Sequence, residues 1–159
     1  MKEECGMAMI KTNWKKTTED EEKDDYSSII PTGFNQHKYD ESIISTYYLY
    51  HRCHLIAWVL GGVDVDEKNI MTGTQYFNIY GMSPFEDLVY NYLKENQSNN
   101  VLYRVTPYFE ADNQLANGVT IEAYSIEDEG EGICFYVYVY NVQPGIVIDY
   151  TTGESELEE

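Results

Sequence analysis

The sequence predicts an α+β protein, a mostly antiparallel sheet with at least one helix packed on it. Two observations carry this. One long segment, 83–96, has helical periodicity with start signals, and three β-rich segments follow it between 101 and 142, separated by short polar turns. A chain of 159 residues that is 43% hydrophobic is large enough for one domain with a real core. The expected organisation is an N-terminal strand and acidic loop over 1–30, a main unit over 31–153 and an acidic tail over 154–159.

Taken in order, CGMAMIKT (5–12) suits a short strand, and EDEEKDD (19–25) suits a solvated loop. PTGF (31–34) is a turn signal. SIISTYYLY (42–50) is rich in β-branched and aromatic residues, so a strand is expected there, leading into 51–54. LIAWVLGG (55–62) is an apolar segment closed by two glycines, and DVDEKN (64–69) a polar loop. In SPFEDLVYNYLKEN, Ser83 is placed to cap the helix, Pro84 suits its first turn, and Glu86 and Asp87 complement the positive end of the dipole. Phe85, Leu88, Val89, Tyr92 and Leu93 form the apolar stripe. Strands are expected at 101–110, interrupted by Pro107, at 118–126, where Val119, Ile121 and Ala123 alternate with Thr120, Glu122 and Tyr124, and at 133–142. DNQLANG and EDEGEG suit hairpin connections, and ESELEE a frayed end.

Charge and composition narrow the function. The formal net charge is −18, which repels free nucleic acid and anionic membranes and attracts basic protein surfaces. No apolar run is long enough to span a membrane, and Glu3 and Glu4 stand where a secretory signal would be basic. A cytoplasmic protein is expected, or a secreted one if a leader is removed. Cys5, Cys53 and Cys134 are an odd set without a C-x-x-C spacing. This argues against a disulfide framework or structural zinc and for three small buried residues.

Against this background YHRCHLI (50–56) stands out. It holds two of the three histidines and one of only four basic residues after Lys38. On a strand, Arg52 and His54 share one face, His51 and Cys53 the other. An arginine can neutralise a phosphate oxygen while a neutral histidine takes a proton from an attacking water. The plain alternative is a pair of histidines packed against neighbouring tyrosines.

The order continues with Asn69 and Asn78 in KNIMTGTQYFN (68–78) and Glu86 on the following helix. It resembles the DNA/RNA non-specific endonuclease family, which has the ββα-metal fold and includes bacterial secreted and DNA-entry nucleases. The family's hallmark is a strand ending Asp-Arg-Gly-His, and the matching residues here are His51-Arg52-Cys53-His54. The likeness runs on through YRVTPYFEADNQLANGVTIEAYS and YNVQPGIVIDYTTGE, and covers about 31–153. It implies that His54 is the general base, that Asn78 is the single protein ligand of a hydrated Mg²⁺ (Mn²⁺ as an alternative), and that Glu86 orients the metal's waters. It also implies that Arg52 meets the substrate phosphate and that Asn69 supports the catalytic set. His51, Gln75 and Arg104 complete the candidate substrate contacts.

The sequence departs from the family pattern at His51 (commonly Asp), Cys53 (commonly Gly), Gln75 (often Arg), Ala57, Trp58 and the acidic run 19–25. Machinery retained while the grip on free phosphates is reduced implies a Mg²⁺-dependent endonuclease whose RNA or DNA is presented by a basic protein partner. A phage or mobile-element protein cleaving the guide RNA of a CRISPR effector, an anti-CRISPR, fits that description. The competing expectation is a catalytically silent acidic mimic of nucleic acid that occupies a basic groove.

Overall fold

The computed structural model describes residues 6–11, 27–62, 66–96 and 98–159, the first of these segments as backbone. Four strands form the main antiparallel sheet: β1 (Gly6–Lys11), β4 (Asn100–Tyr108), β5 (Gly118–Ser125) and β6 (Cys134–Tyr140), in the order β1-β4-β5-β6. A separate antiparallel pair, β2 (Tyr50–His54) and β3 (Ile70–Thr74), runs into a helical segment that ends as α1 (Ser83–Glu95). A small hairpin, β7 (Ile146–Ile148) with β8 (Ser155–Leu157), closes the chain. The α+β expectation is met, and the β2–β3–α1 succession is the ββα unit.

Alternation on β5 is as read: Val119, Ile121 and Ala123 are buried, while Thr120, Glu122 and Tyr124 face outward. With Val101, Tyr103 and Val105 of β4 they meet Val89 and Leu93 of α1, and Cys53, Met71 and Phe77 join the same cluster. Full burial of a Val, Ile, Met or Phe side chain such as these stabilises the fold by ~1.5–3 kcal/mol. Leu88 departs from the expected stripe and is 52% exposed. A second cluster, Ile44, Leu49, Tyr50, Leu115 and Ile146 with Phe34 and Tyr39 against it, supports the other side of β2.

Five further expectations are corrected. The 42–50 segment is not a strand. Asp40 accepts hydrogen bonds from the backbone and hydroxyl of Ser42, Ile43 and Ile44 donate to the Asp40 carbonyl, and Tyr47 has φ 64°. The apolar residues there serve a turn that buries Ile44 and Leu49, and β2 begins only at Tyr50.

Ser83 does not cap the helix. The helix begins eight residues earlier, capped by Thr74, whose hydroxyl accepts from the Phe77 N–H at 3.0 Å, and it passes through a π-helical stretch, Phe77–Met82. Pro84 has no N–H to donate and its ring crowds the preceding turn, which a widened π turn accommodates. Ser83 instead donates its hydroxyl to the Asn78 carbonyl at 2.9 Å.

Pro107 does not interrupt β4. It pairs with Val119 on one side and lies beyond the end of the β1 pairing on the other, where no N–H is called for. The tail is not frayed over Ser155–Leu157, which forms β8. Cys134 is exposed, whereas Cys53 is fully buried; both are free thiols. Cys5 and the acidic run 19–25 lie outside the described residues. Among the described residues no helix is long and apolar enough to cross a membrane.

Candidate active site

The β2–β3 ladder fixes the site's first half. Gln75 donates its N–H to the Leu49 carbonyl and Leu55 donates to that of Asn69, so bonded pairs alternate along the two strands. Thr74 N–H and Thr72 C=O then point away from β2. Both are met by Asn141, whose Oδ1 accepts from Thr74 at 3.0 Å and whose Nδ2 donates to the carbonyls of Thr72 at 3.1 Å and Ala116 at 3.0 Å. A fully buried side-chain amide thus substitutes for a neighbouring strand and ties β3 to the region after β6. Gly73 lets the pieces close, because a Cβ there would lie 2.6 Å from both the Cys53 sulfur and the Phe77 ring.

Directly after β3 the π turn carries Asn78. Gly81 lets this turn press on the sheet, since its Cβ would meet Val139 at 2.6 Å. π-Helical insertions recur at functional sites because they redirect a side chain without ending the helix. Asn78 here borders a cleft of ≈ 590 Å³ together with Phe34, Gln36, Thr46, Tyr48, Tyr50, His51, Arg52 and His54. That size lies in the ~300–1,000 Å³ range of small-ligand sites.

Of the residues singled out from the sequence, His51, Arg52, His54 and Asn78 are brought together here. Arg52 donates Nε to the Ile29 carbonyl at 2.6 Å and Nη2 to that of Ser27 at 2.9 Å, and its guanidinium lies 4.5 Å from the centre of the Phe34 ring. These contacts fix its plane and leave Nη1 for a further acceptor. His51, on the other strand face by alternation, also reaches the cleft, where its Nε2 pairs with the Thr46 hydroxyl at 3.2 Å. Burial lowers its pKa, so His51 is neutral near pH 7 and adds no charge beside His54.

Glu86 does not border the cleft. Burial, and then the charge of Asp87, push its carboxyl pKa up to about 7. Its charge in turn helps burial raise the pKa of the Cys53 thiol and the Tyr103 hydroxyl, so it lies within Coulomb range of the residue next to His54.

Asn69, Gln75 and Arg104 do not border the cleft either. Asn69 accepts from the Ile56 N–H at 2.9 Å and donates to the Ile56 carbonyl at 3.1 Å, clamping the chain where it leaves β2. Gln75 is buried and donates to the hydroxyls of Ser45 and Thr46 at 2.9 and 3.1 Å. Arg104 lies on the outer face of the main sheet, paired with Glu122.

Five cleft residues were not foreseen: Phe34, Gln36, Thr46, Tyr48 and Tyr50. Gln36 binds both backbone groups of Tyr50 through its amide, at 2.6 and 2.9 Å, acting as a short substitute strand. The tyrosines had a visible signal, an aromatic run immediately before the histidines.

The β2–β3–helix succession that frames this cleft is shared with known proteins. A family model described as DNA/RNA non-specific endonuclease matches residues 8–127. The chain belongs to that family.

A curated relative, the deoxyribonuclease of Streptococcus dysgalactiae subsp. equisimilis, is 32% identical over 110 residues, covering 67% of this chain. The match covers 32% of that protein, so the chain spans about a third of its relative's length. Among solved structures, NucA from Streptococcus agalactiae with magnesium bound superposes with a TM-score of 0.80 at 24% identity, over 99% of this chain and 73% of that one. The Sda1 nuclease with bound zinc gives 0.77 at 23% identity, over 99% and 77%. These likenesses establish the ββα-metal fold in this endonuclease-family chain.

Among the described residues there is no group of three or more His, Cys, Asp or Glu able to cage a metal. What borders the cleft is the neutral amide of Asn78, which makes no hydrogen bond to another described residue. A hydrated divalent cation that takes an oxygen from the protein would fit such a lining.

Proposed function

We propose that the chain is a divalent-metal-dependent endonuclease that hydrolyses phosphodiester bonds of RNA or DNA. The observation that carries this reading is the meeting of His54, Arg52 and Asn78 in one cleft, from β2 and from the helical turn after β3. In it, His54 takes a proton from a water as that water's oxygen bonds to phosphorus. The bond from phosphorus to the leaving oxygen breaks, and that oxygen is protonated from solvent. Arg52, held by two backbone carbonyls and Phe34, offers Nη1 to a phosphate oxygen. Asn78 would supply the ligand oxygen, and Glu86, outside the cleft lining but within Coulomb range of Cys53, would act on the ion's waters through its charge. When bound, the cation supplies positive charge that stabilises the crowded phosphate and the leaving oxygen. Asn69 and Gln75 support this set by fixing the chain on either side of β2 and β3.

The same reading includes magnesium as the working ion and a basic protein that presents the nucleic acid, with the cytoplasm as the place of action. The net charge of −18 supports the partner, since free polyphosphate is repelled and basic surfaces are attracted. A guide-RNA effector is one such partner, which would make the chain an anti-CRISPR. The acidic-mimic reading draws on the same charge and on the engagement of Arg52 by Ser27 and Ile29.

The deciding experiment is cleavage of labelled RNA and DNA, free and bound to a basic carrier, with Mg²⁺ or with EDTA. Metal-dependent cutting that His54→Ala removes, stronger on the bound form, is expected; general-base loss costs ~10²–10⁴-fold. No cutting in either format, with tight binding to the carrier, selects the mimic.

A further inference from the structure

The geometry points to Tyr48 as a stacking platform for a nucleobase next to the cleaved phosphate, with Lys38 meeting the adjoining backbone. This rests on the nuclease reading and specifies how its substrate is held.

Tyr48 borders the cleft that contains Arg52 and His54, yet its side chain is 44% exposed. An exposed aromatic ring at the mouth of a polar cleft is what an unpaired base requires, because every base has a face to stack. The ammonium of Lys38 stands 4.8 Å from the ring centre. Among the described residues it and Arg52 are the two cations near the cleft, Arg52 bordering it and Lys38 beside Tyr48.

The loop holding the ring is over-determined. Tyr47 is in the left-handed region at φ 64°, a conformation that costs a bulky residue energy. Tyr39 donates to the Tyr47 carbonyl at 2.8 Å and Leu49 to that of His37 at 3.1 Å, so Lys38 and Tyr48 sit opposite each other in a single β-bridge. Gln75 and His51 both hold Thr46, and the Tyr47 hydroxyl donates to Glu41 at 2.9 Å. Backbone strain maintained by so many bonds positions the next side chain, Tyr48, over the cleft. It also gives Gln75 a role: it secures the wall on which Tyr48 stands.

Two consequences are measurable. A base must be unstacked to reach the ring, so single strands are preferred to duplex. If Arg52 and Lys38, the two cations near the cleft among the described residues, each meet one phosphate, the log–log salt slope for single strands is shallow, about −1.4 at ~0.7 per contact.

The test measures binding of a fluorescent single-stranded oligonucleotide to the His54→Ala protein in EDTA, and cleavage by proteins with His54 intact. Tyr48→Ala should weaken binding roughly 5- to 150-fold, the range of base–aromatic stacking, and raise KM more than it lowers kcat. Tyr48→Phe should retain both, and an abasic site in the oligonucleotide should weaken the parent but not Tyr48→Ala. Tyr136→Ala, on the outer sheet face, is the control. If Tyr48→Ala melts early, the Phe variant and the abasic series decide alone. Unchanged binding and KM in Tyr48→Ala, or no response of the parent to abasic sites, overturns the platform while leaving the nuclease reading intact. A wild type that neither binds nor cuts any nucleic acid overturns both.

Discussion

Replacing Asn141 by Ala tests how the site is assembled. The side chain is completely buried and makes three hydrogen bonds, all to backbone groups. Its removal leaves the Thr74 N–H, which faces away from β2, without an acceptor. An unmet buried donor costs ~1–3 kcal/mol, and the two lost bonds to carbonyls add ~0.5–1.5 kcal/mol each. The total, ~2–6 kcal/mol, is a large share of the ~5–15 kcal/mol of an ordinary domain. With an m-value of ~2 kcal/mol/M, the urea midpoint followed by tyrosine and tryptophan fluorescence should fall by ~1–3 M. The damage is directional. Thr74 caps the helix that carries Asn78, and its hydroxyl also donates to the Val142 carbonyl at 2.6 Å. Cleavage by the folded fraction should therefore fall too, through kcat. A midpoint within ~0.25 M of wild type would show that the Asn141 amide does not brace β3, and full activity in a strongly destabilised protein would show that it does not set the helix start.

Three further outcomes are expected. Asn78→Ala should leave the melting temperature in EDTA unchanged and weaken Mg²⁺ binding by at least the ~10–100-fold typical of lost supporting contacts, and an unaltered Mg²⁺ titration removes it as the ligand. Gly73→Ala should cost ~1–3 kcal/mol, because the new methyl meets Cys53 and Phe77 at 2.6 Å; a thermal melt that does not move refutes the packing. Glu86 favours its protonated form in the fold, so its contribution to stability is fully present below pH ~4.5 and lost as pH rises through about 7. In EDTA, Glu86→Gln should therefore gain on wild type between those pH values, up to ~3 kcal/mol at pH 8. A difference independent of pH would mean the carboxyl is solvated.

The sequence carried the fold where each residue's environment is local. Val119, Ile121 and Ala123 alternate because one face of β5 is covered, and Val89 and Leu93 fall on the covered face of α1. It failed where distant groups decide. The 42–50 run has strong β-propensity, but Asp40 turns the chain through its own side chain, and Ile44 and Leu49 are needed in a cluster with Leu115 and Ile146. Ser83 looked like a cap because nothing in the sequence shows that Thr74, nine residues earlier, already fills that role. At the site, Arg52 and His54 were legible from scarcity and order. Asn69 and Gln75 were not, because their partners at Ile56, Ser45 and Thr46 lie 13 to 30 positions away. A polar side chain's chemistry is visible in one dimension; its saturation by the backbone is not.

The end of the chain braces the beginning of the cleft. The Tyr50 hydroxyl donates to the Gly153 carbonyl at 2.9 Å, Glu154 pairs with His37 at 2.8 Å and bonds Asn35, and Tyr39 meets the Ser155 hydroxyl at 2.7 Å. Gln114 and Leu115 both donate to the Tyr150 carbonyl. The segment 153–155 thus holds Asn35, His37, Tyr39 and Tyr50, which flank the cleft residues Phe34, Gln36 and Tyr48. A protein truncated after Asp149 should therefore loosen the wall that carries Tyr50 and bind single-stranded oligonucleotides more weakly than one extending through Leu157.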